Sequence, residues 1–370
     1  MKFIYSIAVG LLSVFSHTSP LHAMPAMHES CPHLSLMEGK NALSFSDCSF
    51  MRALALNPGD DAPPAPPPPA APPPPHTRPG LPLSTMAAEL GPLADLAGTW
   101  VGNGFNLISL PDFSSQPPST GPQDFRLKLN ATVEILQFTP IGGSIPNRGV
   151  VTASGSTTGQ PDIDLFGLTY LQRISDLVTN EALHIEPGIW LNVPATTVFP
   201  DNPNPAVVRL ATIPHGNAVL AQSTLILNVP SPIFTPVSST PFRVDGSAFS
   251  PNYLDPFLNP PLPPGIKLSY VANPNQLLQD ATAGQNIINT VVLVISTNNS
   301  SSIPIGGGIL NIPFLTLNAN ATQFDAIFWI ETVQQSDGST FLQLQYTQTV
   351  MLNFLGINWP HISVATLIKQ

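Results

Sequence analysis

The sequence is poor in charged residues and lacks the common catalytic motifs. Charged side chains make up 9% of its 370 residues, and Asp plus Glu outnumber Lys plus Arg by 22 to 12. Because a nucleic-acid-binding surface needs clustered Lys and Arg to neutralise phosphates, this composition argues against a nucleic-acid partner. The chain also contains no Gly-x-Ser-x-Gly elbow, phosphate loop, dinucleotide fingerprint or zinc-protease helix. The common hydrolase and nucleotide-binding classes are therefore disfavoured.

Cysteine is almost absent. The two cysteines, Cys31 and Cys48, both lie in the N-terminal part of the chain. A structural zinc site would need more ligands at closer spacing. In an oxidising compartment the simplest expectation is one disulfide between Cys31 and Cys48, which would staple a short segment over residues 24–59.

Long apolar runs are missing except at the start of the chain. Residues 1–23 place one lysine ahead of an apolar run and end at the small residue Ala23. This layout predicts a secretory signal peptide, cleavage after Ala23 and an exported protein, either secreted or periplasmic. The run is shorter than the roughly 20 residues that a helix needs to cross a bilayer. Every later apolar run is broken by Pro, Asn, Thr or Gln, so we predict no membrane span.

Proline is abundant, with 44 residues in the chain, and it divides the sequence. Residues 60–85 are dominated by proline, which predicts an extended, semi-rigid linker of polyproline II type. A second proline-rich region covers residues 230–275, inside the large C-terminal body of residues 86–370. Its length predicts an ordered insertion or a surface loop of the kind that forms lids and binding elements.

The body has the alternating pattern of β-strands. After one or two short helical turns at 86–96, residues 125–135 alternate apolar and polar side chains, which predicts a strand with one buried face. Further β-type stretches, separated by glycine-containing turns, lie at 149–153, 207–213, 218–229, 290–297, 323–331, 341–352 and 361–367. Many antiparallel strands with short connections predict an all-β sandwich or barrel.

The body contains three histidines: His184, His215 and His361. His215 lies in a Pro-His-Gly sequence that predicts a solvated turn residue. His184 and Glu186 would share one face of a strand, where the carboxylate would fix the tautomer of the imidazole or raise its pKa. Such a pair would serve as an acid/base couple or would only order the strand.

His361 begins the last predicted strand, and Ser363, Ala365 and Leu367 share its face. Two small neighbours leave room beside the ring for a large flat ligand. A neutral imidazole with one free nitrogen is a good axial donor to haem iron. A single histidine on a strand is also compatible with a purely structural role.

Three segments of the body together resemble the nitrobindin-like, haem-binding branch of the calycin β-barrels. They are Leu-Ala-Gly-Thr-Trp-Val-Gly-Asn-Gly-Phe at 96–105, Leu-His-Ile-Glu-Pro-Gly-Ile-Trp at 183–190 and Pro-His-Ile-Ser-Val-Ala at 360–365. The resemblance implies an antiparallel calycin/lipocalin-like β-barrel that binds haem b. It further implies that His361 is the axial ligand of the iron, and that the cavity is surrounded by His184, Glu186, Trp100 and Trp190.

Three functional hypotheses follow. The first is an exported haem-binding barrel that would bind a diatomic gas or support peroxidase-like or peroxynitrite isomerase-like chemistry. The second is a lipocalin-like carrier of an apolar small molecule without metal. The third is a barrel enzyme that uses His184 and Glu186 as an acid/base pair. Independently of the resemblance, Trp100 is suited to plug one end of a barrel, and Gly102 and Gly104 allow its strand to bend.

Overall fold

The computed structural model describes residues 83–111, 125–150, 159–196, 206–298 and 307–370. The predicted signal peptide, the segment with Cys31 and Cys48, and residues 60–82 of the predicted linker lie outside the described residues. Among the described residues, no helix has both the length and the apolar character needed to cross a membrane.

The described residues form thirteen strands, four α-helices and two short 3-10 helices. The strands are β1 Gly98–Pro111, β2 Phe125–Pro140, β3 Ile145–Asn147, β4 Ile163–Asp176, β5 Ala182–Val193, β6 Ala206–Ile213, β7 Asn217–Val229, β8 Phe242–Arg243, β9 Asn286–Ser296, β10 Gly308–Asn311, β11 Asn320–Gln334, β12 Thr340–Phe354 and β13 Ile357–Lys369. The α-helices are α1 Leu83–Leu90, α2 Leu268–Ala272, α3 Asn275–Ala281 and α4 Pro313–Asn318, and the 3-10 helices are Gly91–Leu96 and Asp255–Phe257.

Ten of the strands close into one antiparallel barrel. The order around the ring is β1-β2-β4-β5-β6-β7-β9-β11-β12-β13, and the ring closes because β13 also pairs with β1. Strands β3, β8 and β10 pair outside this ring with β4, β13 and β7, respectively. The predicted antiparallel β-barrel is confirmed.

Most of the predicted elements lie inside observed ones. The helical turns predicted at 86–96 correspond to α1 and the following 3-10 helix, and six of the seven further β-type stretches fall within β6, β7, β9, β11, β12 and β13 or end one residue beyond them. The exception is 149–153, where Gly149 and Val150 are not in a strand and the other residues lie outside the described part. Strand β4 was not predicted as an element.

One end of the barrel is closed by tryptophan. Trp100 is fully buried, and its indole Nε1 donates a hydrogen bond to the Leu96 carbonyl oxygen at 2.7 Å. Leu90 and Leu93 of the preceding helical turns join Trp100 in the same apolar cluster. A Cβ on Gly102 would lie 2.1 Å from the Thr366 carbonyl oxygen, so only glycine allows this approach of β1 to β13. The predicted plug is therefore observed.

The proline-rich insertion packs on the outside of the barrel. Tyr270, Val271 and Leu278 of α2 and α3 form an apolar cluster with outward-facing residues such as Trp329 and Ile362. Hydrogen bonds fix this layer, including one from Ser239 Oγ to the Val271 carbonyl oxygen at 2.5 Å. Because this layer covers outward-facing side chains, both faces of several strands are buried.

Candidate ligand-binding cavity

The end of the barrel opposite Trp100 is hollow. It contains a cavity of about 480 Å³, which is in the size range of small-molecule and cofactor sites. The cavity reaches the surface, because Phe314 of α4 lines it and is 68% exposed. Its other lining residues are Asn106, Ile108, Leu110, Gln172, Ile174, Leu183, His184, Ile213, His215, Asn217, Val219, Ile309, Leu315, Ala319, Ala321, Tyr346, Gln348, Val350, Leu352, His361 and Ser363.

All three histidines of the body face this cavity. His184 lies near the start of β5, His215 in the turn between β6 and β7, and His361 near the start of β13. Since β6 lies five places from β13 in the ten-strand ring, His184 and His215 are on the wall opposite His361. The ring centroids of His184 and His215 are 6.4 Å apart. A ligand in the cavity would therefore have an imidazole on either side.

The sequence pattern had not assigned His215 to the site. Its position in an exposed turn is confirmed. The same residue, however, also lines the cavity. The turn brings it there because Gly216 adopts φ +106°, a conformation that other residues rarely accept. Burial and then the nearby His184 lower the pKa of His215. The Pro-His-Gly turn was a local signal, whereas the cavity beneath it is a property of the closed barrel.

His361 is held by Asn106 of β1. The His361 Nε2 atom lies 2.9 Å from Asn106 Oδ1, and Ser363 Oγ donates to the same oxygen at 2.9 Å. Because an amide oxygen only accepts, His361 Nε2 carries the hydrogen and Nδ1 carries the lone pair. Burial, followed by the charges of His184 and His215, lowers the pKa of His361 to about 4. His361 is therefore neutral at neutral pH.

His184 is held by Glu186, as the alternation along the strand predicted. His184 Nε2 lies 3.1 Å from Glu186 Oε2. Glu186 is fully buried below the cavity and does not line it, and its Oε1 accepts hydrogen bonds from Tyr170 and Arg209. Burial alone would raise the pKa of Glu186, but Arg209 and His184 outweigh that effect and lower it to about 2. Glu186 is therefore a paired carboxylate that orients His184, and it is poorly suited to take up a proton.

Arg209 of β6 is the centre of a polar layer under the cavity. It is 1% exposed, and its Nε donates to the Tyr170 hydroxyl at 3.0 Å. Its Nη1 donates to Gln348 Oε1 at 2.9 Å, and Gln348 lines the cavity. The guanidinium also lies over aromatic rings, with 5.6 Å to the centroid of Trp190. This buried cation was not among the predicted site residues.

A second carboxylate completes the layer. Glu134 of β2 is fully buried and accepts hydrogen bonds from Gln172 Nε2 at 2.5 Å and from the Tyr346 hydroxyl at 2.7 Å. Burial raises the pKa of Glu134 to about 7, against the opposing effect of these two hydrogen bonds. Both donors line the cavity, so only the side chains of Gln172 and Tyr346 would separate Glu134 from a ligand there.

The two predicted tryptophans lie elsewhere. Trp100 and Trp190 are 0% and 1% exposed and do not line the cavity. Trp190 packs edge-on against Phe328, with ring centroids 5.0 Å apart, on the closed side of the polar layer. The structure thus brings His184 and His361 to the cavity, places Glu186 just beneath it, and assigns the tryptophans to the packed end.

The long insertion does not contribute to the cavity. Over 230–285, which the structure describes completely, no residue lines it, and the wall is completed instead by β10 and α4. Within the described part of the chain, no group of three or more His, Cys, Asp or Glu side chains is placed to hold a bare metal ion.

Comparisons with known proteins assign no family and no function to this chain. No protein-family model matches the chain, and no curated protein matches it. Among solved structures, one match is the "Crystal Structure of Rv2717c from M. tuberculosis", with 14% sequence identity and a TM-score of 0.35. That match covers 76% of this chain and 97% of the other.

Proposed function

We propose that this chain is an exported haem-binding protein and that His361 is the axial ligand of the iron. The observation that supports this proposal best is the convergence of all three histidines of the body on one cavity that is otherwise mainly apolar. Haem needs an apolar site of this size class and an imidazole with a free lone pair.

The residues around His361 fit an axial ligand. Its low pKa keeps the imidazole neutral, as coordination requires. Asn106 Oδ1 accepts the hydrogen of Nε2, which matches the outer hydrogen bond that most metal-bound histidines make through their second nitrogen. With this tautomer Nδ1 is the donor, and coordination through Nε2 would require Asn106 to release the ring.

The opposite wall would face the second side of the haem. His184 is oriented by Glu186, whereas His215 makes no hydrogen bond to another described residue and is therefore free to contact a molecule in the cavity. A bound ferric or ferrous haem would supply the capacity to bind diatomic gases or to react with peroxides. The chain itself would exclude water with the apolar side chains of the wall and orient one imidazole on each side.

A hemin titration of the purified protein tests this proposal. We expect a shifted Soret band that saturates at one hemin per chain in the wild type and in Val350→Ala, which removes a neighbouring cavity residue paired with His361. The shift should be lost in His361→Ala. No shift in the wild type, or the same shift and affinity in His361→Ala, would refute the proposed ligand.

A metal-free carrier of small molecules is the second candidate. It is favoured by the amide side chains of Asn106 and Gln348, which line the cavity wall and could bind a ligand without iron. Binding of an apolar fluorophore by a protein that gives no Soret shift would favour this candidate. The acid/base enzyme has less support, because Glu186 is engaged in an ion pair with Arg209.

A further inference from the structure

Three polar residues form a row across the cavity wall. Asn106 of β1 is directly opposite Ser363 of β13, and Ser363 is directly opposite Gln348 of β12. All three line the cavity, although Gln348 is only 9% exposed. Since neighbouring strands are 4.7–4.9 Å apart, the two carboxamides flank Ser363 on strands about 9.5 Å apart. A ligand group above Ser363 would lie between two amide side chains.

Internal hydrogen bonds decide which end of each amide is free. Asn106 Oδ1 accepts from His361 and Ser363, and Gln348 Oε1 accepts from Arg209. Both oxygens are therefore committed to the protein. The two NH₂ groups, Asn106 Nδ2 and Gln348 Nε2, make no hydrogen bond to any described residue. Both free groups are donors, so the row is built to bind an acceptor.

The charges beneath the row select an uncharged acceptor. Arg209 is neutralised by its ion pair with Glu186, which leaves Glu134 as an additional carboxylate in the same buried layer. An anionic ligand group would gain no free cation here, and it would be repelled by Glu134 once the pH exceeds the pKa of that carboxyl, about 7. A carbonyl oxygen accepts two hydrogen bonds and carries no net charge.

We propose that the cavity binds an apolar molecule with an uncharged carbonyl oxygen, such as a ketone, aldehyde, ester or amide, and that Asn106 Nδ2 and Gln348 Nε2 donate hydrogen bonds to that oxygen. This site needs no iron and holds in the haem-free protein. A molecule of this class would occupy the same space as haem, so the two ligands would compete.

Three related naphthalenes test the inference on the metal-free protein. The fluorescent ketone Prodan carries a carbonyl on a dimethylaminonaphthalene, and its emission reports hydrogen bonding to that oxygen. The parent dimethylaminonaphthalene lacks the carbonyl, and the corresponding naphthoic acid carries a carboxylate. We expect the ketone to bind about tenfold more tightly than the parent or the acid, as two hydrogen bonds in a buried site would give.

Two variants of Gln348 test the free Nε2 donor separately from the Oε1 atom, which accepts a hydrogen bond from Arg209. Gln348→Glu keeps an acceptor for Arg209 and replaces the free NH₂ by oxygen, whereas Gln348→Met removes the donor without adding charge. Each should weaken binding of the ketone by about threefold to fivefold and change binding of the parent naphthalene by less than about twofold. Circular dichroism and thermal melting would establish that both variants are folded. Val350→Ala, at the same wall but without a polar group, should affect both probes alike.

The outcomes distinguish this inference from the haem proposal. The inference is overturned if the ketone binds no more tightly than the parent naphthalene, or if the Gln348 variants weaken both probes equally. A hemin titration that fails while the ketone is selected refutes only the haem proposal. A Soret shift without selection of the ketone refutes only this inference. If both ligands bind, hemin should displace the ketone.

Discussion

The two ends of the barrel interior use the same strands for different purposes. At the closed end, β1 contributes Trp100, and the interior is filled by large apolar side chains with almost no exposure. At the open end, the same strand contributes Asn106 and Ile108 to the wall of a cavity. Position along a strand therefore decides whether an inward residue packs in the core or lines the cavity.

The polar layer separates these two regions. It contains Glu134, Glu186 and Arg209, all at most 1% exposed, and its hydrogen bonds extend upward to cavity residues. Buried charges of this kind cost free energy unless they are paired and hydrogen-bonded. Here hydrogen bonds and the ion pair between Arg209 and Glu186 offset this cost in free energy. The layer therefore forms a rigid floor that fixes His184 and Gln348.

The largest expected loss in the free energy of unfolding is at the closed end. Trp100→Ala removes a fully buried side chain and leaves a cavity, so we expect the free energy of unfolding to fall by about 3–5 kcal/mol. Urea denaturation followed by circular dichroism would measure this loss. Under conditions where the variant is still folded, its affinity for cavity ligands should stay within a few-fold of the wild type. If Trp100→Ala lost as much ligand affinity as a variant of the cavity wall, the two ends would not have separate roles.

The next largest effect concerns the polar layer. Glu186→Gln leaves the Arg209 charge buried without its partner, so we expect a loss of about 3 kcal/mol in the free energy of unfolding. The same denaturation experiment on Asp162→Asn, which breaks a solvent-exposed ion pair with Arg148, should show a much smaller loss. Equal losses in the two variants would contradict a special role for the buried pair.

The pH dependence of stability probes the same layer from Glu134. Its pKa in the folded protein is about 7, above its ordinary value of 4.5, so the folded state binds more protons than the unfolded state between these values. This contribution is complete below about pH 4.5 and is lost as the pH rises through about 7, with a total on the order of 3 kcal/mol. Glu331, whose pKa burial also raises to about 7, adds a loss of the same sign.

Glu134→Gln isolates that contribution. We expect the variant to lose less stability than the wild type between about pH 5 and about pH 8, measured as the change in free energy of unfolding. Glu331→Gln is the matched control, because Glu331 lies on the outer face of the barrel. It should also reduce the change in stability with pH, but it should leave ligand binding in the cavity unchanged. An unchanged pH profile in Glu134→Gln would show that this carboxyl titrates in its ordinary range.

The smallest expected effect is at the rim of the cavity. Leu317 of α4 is 84% exposed, so Leu317→Ser should change the free energy of unfolding by less than about 0.5 kcal/mol. Thermal denaturation of Leu317→Ser and Trp100→Ala under the same conditions would compare the loss of stability at an exposed apolar residue with the loss at a buried one. A loss above about 1 kcal/mol would mean that the rim stabilises the barrel as the closed end does.

The sequence was informative where a signal is local. Two-residue alternation predicted several strands, the Gly-x-Trp-x-Gly-x-Gly segment indicated the plug at Trp100, and the spacing of His184 and Glu186 predicted their contact. These features depend on residues within about ten positions of one another, where strand geometry fixes which side chains meet. Local patterns were sufficient for the fold class and for one pair of the site.

The remaining parts of the site are long-range. His361 and Asn106 are 255 positions apart, and they meet only because β1 and β13 close the barrel. Arg209 looked like one polar residue in an apolar strand, with no local sign of its partner Glu186. The side chains that cover the outer face of β13, such as those packed against Ile362, come from the distant insertion and had no local signal in that strand.

The most direct test of the central claim is chemical rescue at His361. We expect His361→Gly to bind hemin weakly by itself, and we expect added free imidazole to restore a Soret band close to that of the wild type, because the base enters the space left by the side chain. Tight binding of hemin by His361→Gly without imidazole would contradict the claim that the open end of the barrel holds haem through this residue.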